Sequence, residues 1–243
     1  MEKTKVSFGA MQIVSVLLMV LSPLLLTGCM SIHEAARMGN AAEVEKQLAW
    51  GVNPNSKTFR YRTAPLHEAA ANGKLRIVKL LLEKGANVNV TNEGGETPLH
   101  YAAKHGYLEV MEILLENGAD PAQKGTGCGT PMQWARRNRQ IQSIKMLLDH
   151  DVSINQRGSG GRTALMEAVS AEQLEIVNFL VANGADVNVT DERGEGCSPL
   201  CIAAHHNNLE IGRILLKHGA DPALECEDRK IPEDFLIKIR KRN

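Results

Sequence analysis

Apolar and polar positions along the chain form a pattern that repeats about every 33 residues. Each period contains two short segments in which apolar residues recur at the spacing of one helical face, and polar stretches separate these segments. Glycine closes the second segment, as Gly85 does, because it enters the left-handed conformation without a steric cost. The pattern therefore predicts a series of helix pairs. The apolar stripe of one second segment consists of Leu75, Ile77, Val78, Leu81 and Leu82.

Each period opens with a related string, for which Thr97-Pro98-Leu99-His100 serves as the template. The threonine is predicted to be a helix N-cap whose hydroxyl accepts a backbone N–H, and proline suits the first helical position because it has no N–H to satisfy. Seven equivalent positions recur along the chain: Ser31, Pro65, Pro98, Pro131, Ala164, Pro199 and Pro232, with spacings of 34, 33, 33, 33, 35 and 33 residues. Twenty residues after each of the first six of these seven positions the chain has Gly51, Gly85, Gly118, Asp151, Gly184 or Gly219, in that order.

The first 28 residues have a different pattern, which is typical of a secretory signal. Lys3 and Lys5 give a positive start, an apolar stretch follows over residues 14–26, and small residues come next. A membrane-spanning anchor is the alternative. It is disfavoured because the apolar stretch is short and contains Pro23.

Composition narrows the classes of function that the chain can have. It contains 28 Lys+Arg and 28 Asp+Glu residues, so it lacks the basic field that a nucleic-acid binder needs. Aromatic residues make up only 4%, so alanine and leucine must fill the helix contacts. The sequence has no Gly-x-Ser-x-Gly, His-Glu-x-x-His or Cys-x-x-Cys motif. We therefore expect no enzymatic activity and no cofactor.

The histidines are expected to be structural. His33, His67 and His100 belong to the recurring string and are predicted to hydrogen-bond backbone groups between repeats. The adjacent pair His205-His206 cannot share one helical face, and no further ligand lies at the right spacing. We therefore expect no metal site.

The recurring strings resemble ankyrin repeats, whose Thr-Pro-Leu-His opening and Gly-Ala-Asp-Val-Asn ending occur at residues 97–100 and 184–188. The resemblance covers residues 31–243 and implies an all-α, curved ankyrin-repeat solenoid of helix pairs with projecting β-turn fingers. We expect about six repeats and a C-terminal capping half-repeat. Their predicted bounds are 31–63, 64–96, 97–129, 130–162, 163–197 and 198–230, with the cap at 231–243.

The string Leu26-Thr27-Gly28-Cys29 resembles the lipobox of bacterial lipoproteins. That resemblance implies removal of residues 1–28 and acylation of Cys29, with chains such as palmitate, as the first residue of a mature domain over 29–243. Met30 stands where an Asp would favour the inner membrane, so we expect an outer-membrane lipid anchor on the periplasmic side of the cell envelope. A shorter product that starts at Met30 or Met38 stays an alternative.

Four cysteines follow Cys29, in a compartment that would permit disulfides. Cys201 occupies the position of a pattern histidine and is predicted to be buried. Cys197 and Cys226 fall in consecutive fingers and are the best-placed pair, whereas Cys128 is two repeats away from Cys197. Three pairings of two bonds can be drawn among four cysteines, so the Cys197–Cys226 bond is one of several alternatives.

Repeat four departs from the pattern, because Gln133, Arg136 and Arg139 replace the His, Ala and Gly that repeats two and three have. Arg136 at a packing position lowers the stability of the fold unless its head group is paired. Two interpretations are open. Either the departure is tolerated because the stability of the array is a sum over all stacked repeats, or it marks a local bend or a partner contact.

Ankyrin proteins generally bind other proteins through the finger tips and the inner-helix surface, so the resemblance implies a protein partner here. Aromatic residues are scarce in this chain, yet several fall in these positions, and Trp, Tyr and Arg often dominate binding energy. The alternative is a solvated face on which Tyr101 and Trp134 bridge adjacent helices. We expect a monomer when the partner is absent. The candidate positions are Phe59, Arg60, Tyr61, Arg62, Glu93 and Glu96 in the fingers, and Glu68, Tyr101, Lys104, His105, Trp134 and Arg137 on the inner helices.

An acylated, exported array of this kind is similar to the immunity lipoproteins that bind and neutralise phospholipase (lipase) effectors of type VI secretion. This resemblance implies that the partner is a secreted phospholipase. The alternative is a periplasmic stress-protection scaffold associated with a catalase or another defence enzyme. The lipobox favours the first interpretation and the cysteines favour the second, so the sequence leaves both open.

Overall fold

The computed structural model describes residues 30–126, 129–158, 160–191, 196–224 and 230–241. The predicted signal segment, the predicted lipidation position Cys29, and Cys128 and Cys226 lie outside these residues. Within the described part, the chain forms thirteen helices and, apart from two isolated bridges, no strands. The helices are α1 (Ile32–Met38), α2 (Ala41–Ala49), α3 (Pro65–Ala71), α4 (Leu75–Glu83), α5 (Pro98–His105), α6 (Leu108–Glu116), α7 (Pro131–Arg137), α8 (Ile141–Asp149), α9 (Ala164–Ser170), α10 (Leu174–Ala182), α11 (Pro199–His205), α12 (Leu209–Lys217) and α13 (Glu233–Arg240).

The helices form six consecutive pairs, from α1–α2 to α11–α12, and α13 packs on the last pair. The first helices of the pairs stack on one another along the array, and the second helices form the other layer. Fully buried alanines such as Ala70 and Ala103 let the first helices approach closely, while leucines of both layers fill the core between them. This is the predicted all-α solenoid of about six repeats with a terminal half-repeat.

The first helices begin at the predicted N-caps. The hydroxyls of Thr163 and Ser198 accept the backbone N–H three residues further on, at 3.3 Å in both cases. Thr97 also caps its helix ahead of a proline, but its hydroxyl lies 2.9 Å from Nδ1 of His100 and does not accept the backbone N–H that the sequence predicted, because the His100 ring takes that place. Ser31 occupies the proline position of its repeat but serves as the N-cap, so α1 begins one residue later in the repeat than the other first helices.

The pattern histidines connect neighbouring repeats, as predicted. Nδ1 of His67 accepts the backbone N–H of Ala64 at 3.0 Å, and Nε2 lies 2.9 Å from the carbonyl oxygen of Glu96 in the next finger. Because Nδ1 accepts, the proton sits on Nε2, which donates to the carbonyl. Two other pattern histidines make the equivalent contact. Nε2 of His100 lies 3.2 Å from the carbonyl oxygen of Gly129, and Nε2 of His33 lies 2.9 Å from that of Ser56.

Gln133 takes over the histidine role in repeat four. Its Oε1 accepts the backbone N–H of Thr130 at 3.0 Å, and its Nε2 donates to the carbonyl of Arg162 at 3.2 Å. A Cβ on either Gly129 or Gly158 would overlap the Gln133 amide. The glycines of these two fingers therefore make the room that the amide needs.

Arg136 is buried between repeats four and five, with 5% of its surface exposed. Its head group is paired: Nη2 lies 3.0 Å from Oε2 of Glu167, and Nη1 donates to Oε1 of Gln173 at 3.0 Å. Burial lowers the pKa of Arg136, and the Glu167 carboxylate acts against that shift. The partners lie in repeat five, so this departure from the pattern joins two repeats of the array.

Helix ends in the array use the left-handed backbone conformation, as predicted for the glycine positions. The φ angle lies between 83° and 89° at the glycines that follow five of the second helices. Asp151 takes the same place after α8 at 61°, and Arg139 takes a glycine place between α7 and α8 at 58°. Asp151 therefore puts a side chain where the other five second helices end on glycine, whereas the place of Arg139 also carries a side chain in the next two repeats, from Glu172 and Asn207. The five glycines are Gly51, Gly85, Gly118, Gly184 and Gly219.

The two ends of the array carry modified repeats. At the first end, Nε2 of Gln47 donates to the carbonyl of Met30 at 2.7 Å, which ties the start of the described chain to α2. At the other end, Phe235 and Ile239 of α13 cover Gly212 of α12, and a Cβ there would lie 2.8 Å from Cζ of Phe235. The same helix position in the preceding repeats holds Val78, Met111, Ile144 and Val177.

Candidate interaction surface

Neighbouring fingers are hydrogen-bonded to one another, which fixes the side chains that they present. The backbone N–H of Glu93 donates to the carbonyl of Tyr61 at 3.1 Å, and that of Thr126 donates to the carbonyl of Gly94 at 2.7 Å. We use "finger surface" for residues 58–63 and 92–96 together with Glu68, Tyr101, Lys104 and Trp134 on the adjoining first helices.

The finger between α2 and α3 presents the most exposed aromatic side chains of this surface. Phe59 is fully exposed, and Tyr61 is 58% exposed. Cζ of Arg60 lies 5.2 Å from the centre of the Tyr61 ring, a cation–π distance. Arg62 is exposed as well and has a φ of 52°. Two aromatic and two basic side chains thus project from one turn into solvent.

An aromatic row runs along the first helices behind these fingers. The ring centres of Tyr101 and Trp134 lie 5.3 Å apart in an edge-to-face arrangement across repeats three and four. His67 contacts Tyr101 at 5.8 Å and His100 contacts Trp134 at 5.6 Å, again edge to face. Nζ of Lys104 lies 5.6 Å from the centre of the Trp134 ring. Tyr101 and Trp134 therefore bridge adjacent helices. This is the geometry expected if the face is a solvated surface and not a binding surface, which is the alternative left open by the sequence.

The imidazoles of the row carry no charge at neutral pH. Burial lowers the pKa of both His67 and His100 to about 4, and their hydrogen bonds to backbone carbonyls only partly oppose that shift. The row is consequently an uncharged aromatic floor. The charges that act on it include Lys104, 5.6 Å from the centre of the Trp134 ring, Lys57 near His67 and Asp120 near His100.

A cleft of about 520 Å³ opens where the two fingers of the finger surface, residues 58–63 and 92–96, meet α3 and α5. Five of the candidate positions line it together, so the structure groups residues that are up to 40 positions apart in sequence. These five are Tyr61, Glu68, Glu93, Glu96 and Tyr101.

The remaining candidates lie beside the cleft or further along the array. The His105 ring stacks on Tyr107 with ring centres 5.7 Å apart, and partial burial lowers its pKa. Nη2 of Arg137 lies 4.0 Å from Oε1 of Glu167, so this guanidinium contacts the carboxylate that also pairs with Arg136. Nε1 of Trp134 is buried and has no hydrogen-bond partner within the described part.

Sequence reasoning missed Asn92, which shapes the cleft. Its Nδ2 donates to the Tyr101 hydroxyl at 3.0 Å, and its Oδ1 accepts the backbone N–H groups of Gly94 and Glu96 at 2.9 and 3.0 Å. An asparagine two residues before a Gly-Gly turn is the signal that points to this role, because its side chain caps such turns. Asn92 thereby fixes both the finger and the ring of Tyr101.

Two cysteines, Cys197 and Cys201, lie in the described part of the chain. Cys197 is disulfide-bonded and Cys201 is buried, and the predicted partner Cys226 lies outside the described part, so this pairing stays a prediction. The described residues contain no group of His, Cys, Asp and Glu side chains that could hold a metal ion. Within them, no helix has the length and apolar character needed to cross a bilayer.

Comparison with known families agrees with this architecture. A family model of three ankyrin repeats matches residues 32–125 and 122–191, and a model of many ankyrin repeats matches residues 168–216. The chain belongs to the ankyrin-repeat family. This fold is typically a protein–protein interaction scaffold without an enzymatic activity of its own.

Individual ankyrin-repeat relatives are similar over part of the chain only. "Probable E3 ubiquitin-protein ligase XBOS33" of Oryza sativa subsp. japonica is 47% identical over 77 residues, which is 29% of this chain and 14% of that protein. "Putative ankyrin repeat protein" of Rickettsia bellii is 36% identical over 58 residues, which is 24% of this chain and 33% of that protein. The matched part thus spans a third or less of these relatives.

A solved ankyrin structure matches over most of the array. The ankyrin repeat domain of Bcl-3, described as a member of the IkappaB protein family, superposes with a TM-score of 0.77 over 86% of this chain and 97% of that one. The sequence identity of 24% makes this a likeness of fold. The solenoid of helix pairs with fingers is therefore shared between the two.

Proposed function

We propose that this ankyrin-repeat protein is a lipid-anchored periplasmic module that binds and neutralises a phospholipase effector of type VI secretion. The exposed pair Phe59 and Tyr61, next to a cleft and an uncharged aromatic floor, is the observation that carries the binding function. Aromatic side chains displayed on a rigid turn are costly to leave in water and are typical anchors of protein interfaces.

The start of the array supports a short connection to the membrane. Ser31 caps α1 only two residues after the predicted acylated Cys29, and Gln47 holds the carbonyl of Met30. A binder tethered so closely would be concentrated on the surface that a phospholipase attacks, which raises its effective concentration there. The disulfide-bonded Cys197 supports the oxidising compartment that this proposal requires.

The test titrates the protein into a purified type VI secretion phospholipase effector from the genome that encodes this chain and measures hydrolysis of phospholipid vesicles. Inhibition with co-elution of the two proteins is the expected result. Because interface anchors contribute about 2 kcal/mol or more each, Phe59→Ala/Tyr61→Ala together should weaken inhibition roughly 1,000-fold. Phe59 and Tyr61 are better substitution sites for this test than Trp134, because Trp134 is packed into the aromatic row and its loss would also disturb the fold.

The matched control is Trp50→Ala, since Trp50 is 64% exposed but lies outside the finger surface. It should inhibit like the unmodified protein. Cys29→Ser should leave inhibition in solution intact and release the protein from membranes. Absence of any inhibition, or equal loss in the control, would refute the proposal.

The stress-protection alternative predicts binding to a catalase or another defence enzyme. The described cysteines give it no support, because Cys197 is disulfide-bonded and Cys201 is buried. Co-elution with such an enzyme and not with the phospholipase would favour this alternative.

A further inference from the structure

The cleft of the finger surface has a one-sided charge. Its acidic side chains come from two separate elements, Glu68 from α3 and Glu93 and Glu96 from the finger before α5. None of these three carboxylates forms an ion pair with another described residue. No lysine or arginine lines the cleft, and its one imidazole, that of His67, is neutral. The cleft therefore offers negative charge that no basic side chain within it pairs with, although the Arg37 guanidinium acts on Glu68 from outside the cleft.

Two basic side chains near the cleft, Lys57 and Arg37, keep their charge but make their hydrogen bonds to other groups. Nζ of Lys57 donates to the carbonyl of Thr91 at 2.7 Å, and Arg37 is paired with Glu34. Arg60 is the exception, because its guanidinium lies 5.2 Å from the centre of the Tyr61 ring. The Tyr61 ring is thus already placed where a guanidinium can meet its electron-rich face.

The aromatic walls of the cleft are held in place before any partner binds. The Tyr101 hydroxyl is fixed by Asn92, and its ring is packed against His67 and Trp134. Tyr61 is fixed at its backbone by the N–H of Glu93. Such pre-arranged groups lose little conformational entropy on binding, which favours a specific occupant over diffuse attraction.

We propose that this cleft receives one arginine side chain from an exposed loop of the protein partner. Rings and carboxylates within the same cleft match a guanidinium better than an ammonium, because the planar guanidinium stacks on aromatic rings and donates hydrogen bonds from its edge. The inference rests on the proposed function, since it names the anchor by which that partner is held.

A minimal probe tests the cleft without the partner. The peptide acetyl-Gly-Arg-Gly-amide is titrated into the isotope-labelled protein and followed by NMR. Saturable shifts confined to residues 61–68 and 92–101 are expected, and they should weaken as salt is added. The same peptide with citrulline, which is neutral and of the same shape, should bind at least about tenfold more weakly.

Charge-removing variants supply the second arm. Glu68→Gln/Glu96→Gln should weaken arginine-peptide binding by about tenfold or more, while the control Glu112→Gln/Glu116→Gln, on the exposed side of α6, should leave it unchanged. Equal binding of the citrulline peptide, shifts spread over the whole array, or an unaffected Glu68→Gln/Glu96→Gln variant would overturn the inference.

The partner assay separates this inference from the proposed function. Should Glu68→Gln/Glu96→Gln inhibit the phospholipase as well as the unmodified protein does, the arginine cleft is wrong and the proposed function stands. Should the arginine peptide bind as expected while no phospholipase is inhibited, the cleft stands and the proposed function is wrong.

Discussion

At the scale of single residues, the array depends on neutral imidazoles placed between repeats. In His67 and His100, Nδ1 accepts a backbone N–H and Nε2 faces a carbonyl of the next finger. A proton on Nδ1 would remove that acceptor and bury a charge, so both bonds require the neutral ring. Gln133 satisfies the same two backbone groups with an amide that does not titrate.

This arrangement predicts a specific loss of stability in acid. The folded-state pKa of each histidine is about 4 against an ordinary value of 6.5, so the unfolded chain takes up protons first as the pH falls. Their share of the stability is complete above pH 6.5 and is lost between pH 6.5 and 4. At pH 5 the loss should be about 2 kcal/mol for each histidine.

The measurement is urea unfolding at pH 7 and at about pH 5. Gln133 shows that an amide can satisfy the same two backbone groups, and any cost of fitting it beside fingers that lack Gly129 and Gly158 is the same at both pH values. His67→Gln/His100→Gln should therefore lose about 4 kcal/mol less than the unmodified protein on acidification. Carboxylates titrate alike in both proteins and cancel in the difference. An equal loss in the two proteins would contradict the assignment.

At the scale of helices and turns, the repeating pattern predicted the fold because each repeat carries its own local signals. Proline after the cap, the apolar stripe of the second helix and the glycine after it all act within one repeat. Contacts between repeats could not be predicted in this way. The pairing of Arg136 with Glu167 joins residues 31 apart, and the cleft depends on how two fingers pair. Periodicity carries no information on either contact.

The turn after α8 provides a test of these local signals. Asp151 has a φ of 61° where other repeats have glycine, and an L-residue in this conformation is strained. Asp151→Gly should therefore raise the free energy of unfolding by about 0.5–1 kcal/mol, and Gly118→Asp should lower it by a similar amount. At Gly118 a new Cβ meets no atom within 4 Å, so the change reports the backbone alone.

Charge is the competing explanation, because Asp151 lies at the carboxyl end of a helix, where a negative charge is unfavourable. Asp151→Asn separates the two causes, since it removes the charge and keeps the side chain. Thermal or urea unfolding that shows a gain for asparagine as large as that for glycine would assign the effect to charge.

At the scale of the whole molecule, stability is a sum of contacts between neighbouring repeats, so the ends decide whether the last repeats stay folded. The C-terminal end relies on one fitted contact. Phe235 and Ile239 of α13 cover Gly212, at a helix position where the preceding repeats have large apolar side chains. The cap forms because Gly212 of α12 has no side chain and the Phe235 ring of α13 occupies the space that is left.

Filling that space should release the cap and leave the remainder of the array folded. In Gly212→Val the Cβ alone would lie 2.8 Å from Phe235 and 3.1 Å from Ile239, so α13 must move away, at a cost of roughly 1–3 kcal/mol. Hydrogen exchange should show loss of protection in α13, then in α11 and α12, with α1 to α8 unchanged because they share no contact with the cap. Glu210→Val, at an exposed position of the same helix, should exchange like the unmodified protein. Uniform loss of protection along all repeats would mean that the array opens as one cooperative unit, contrary to this account.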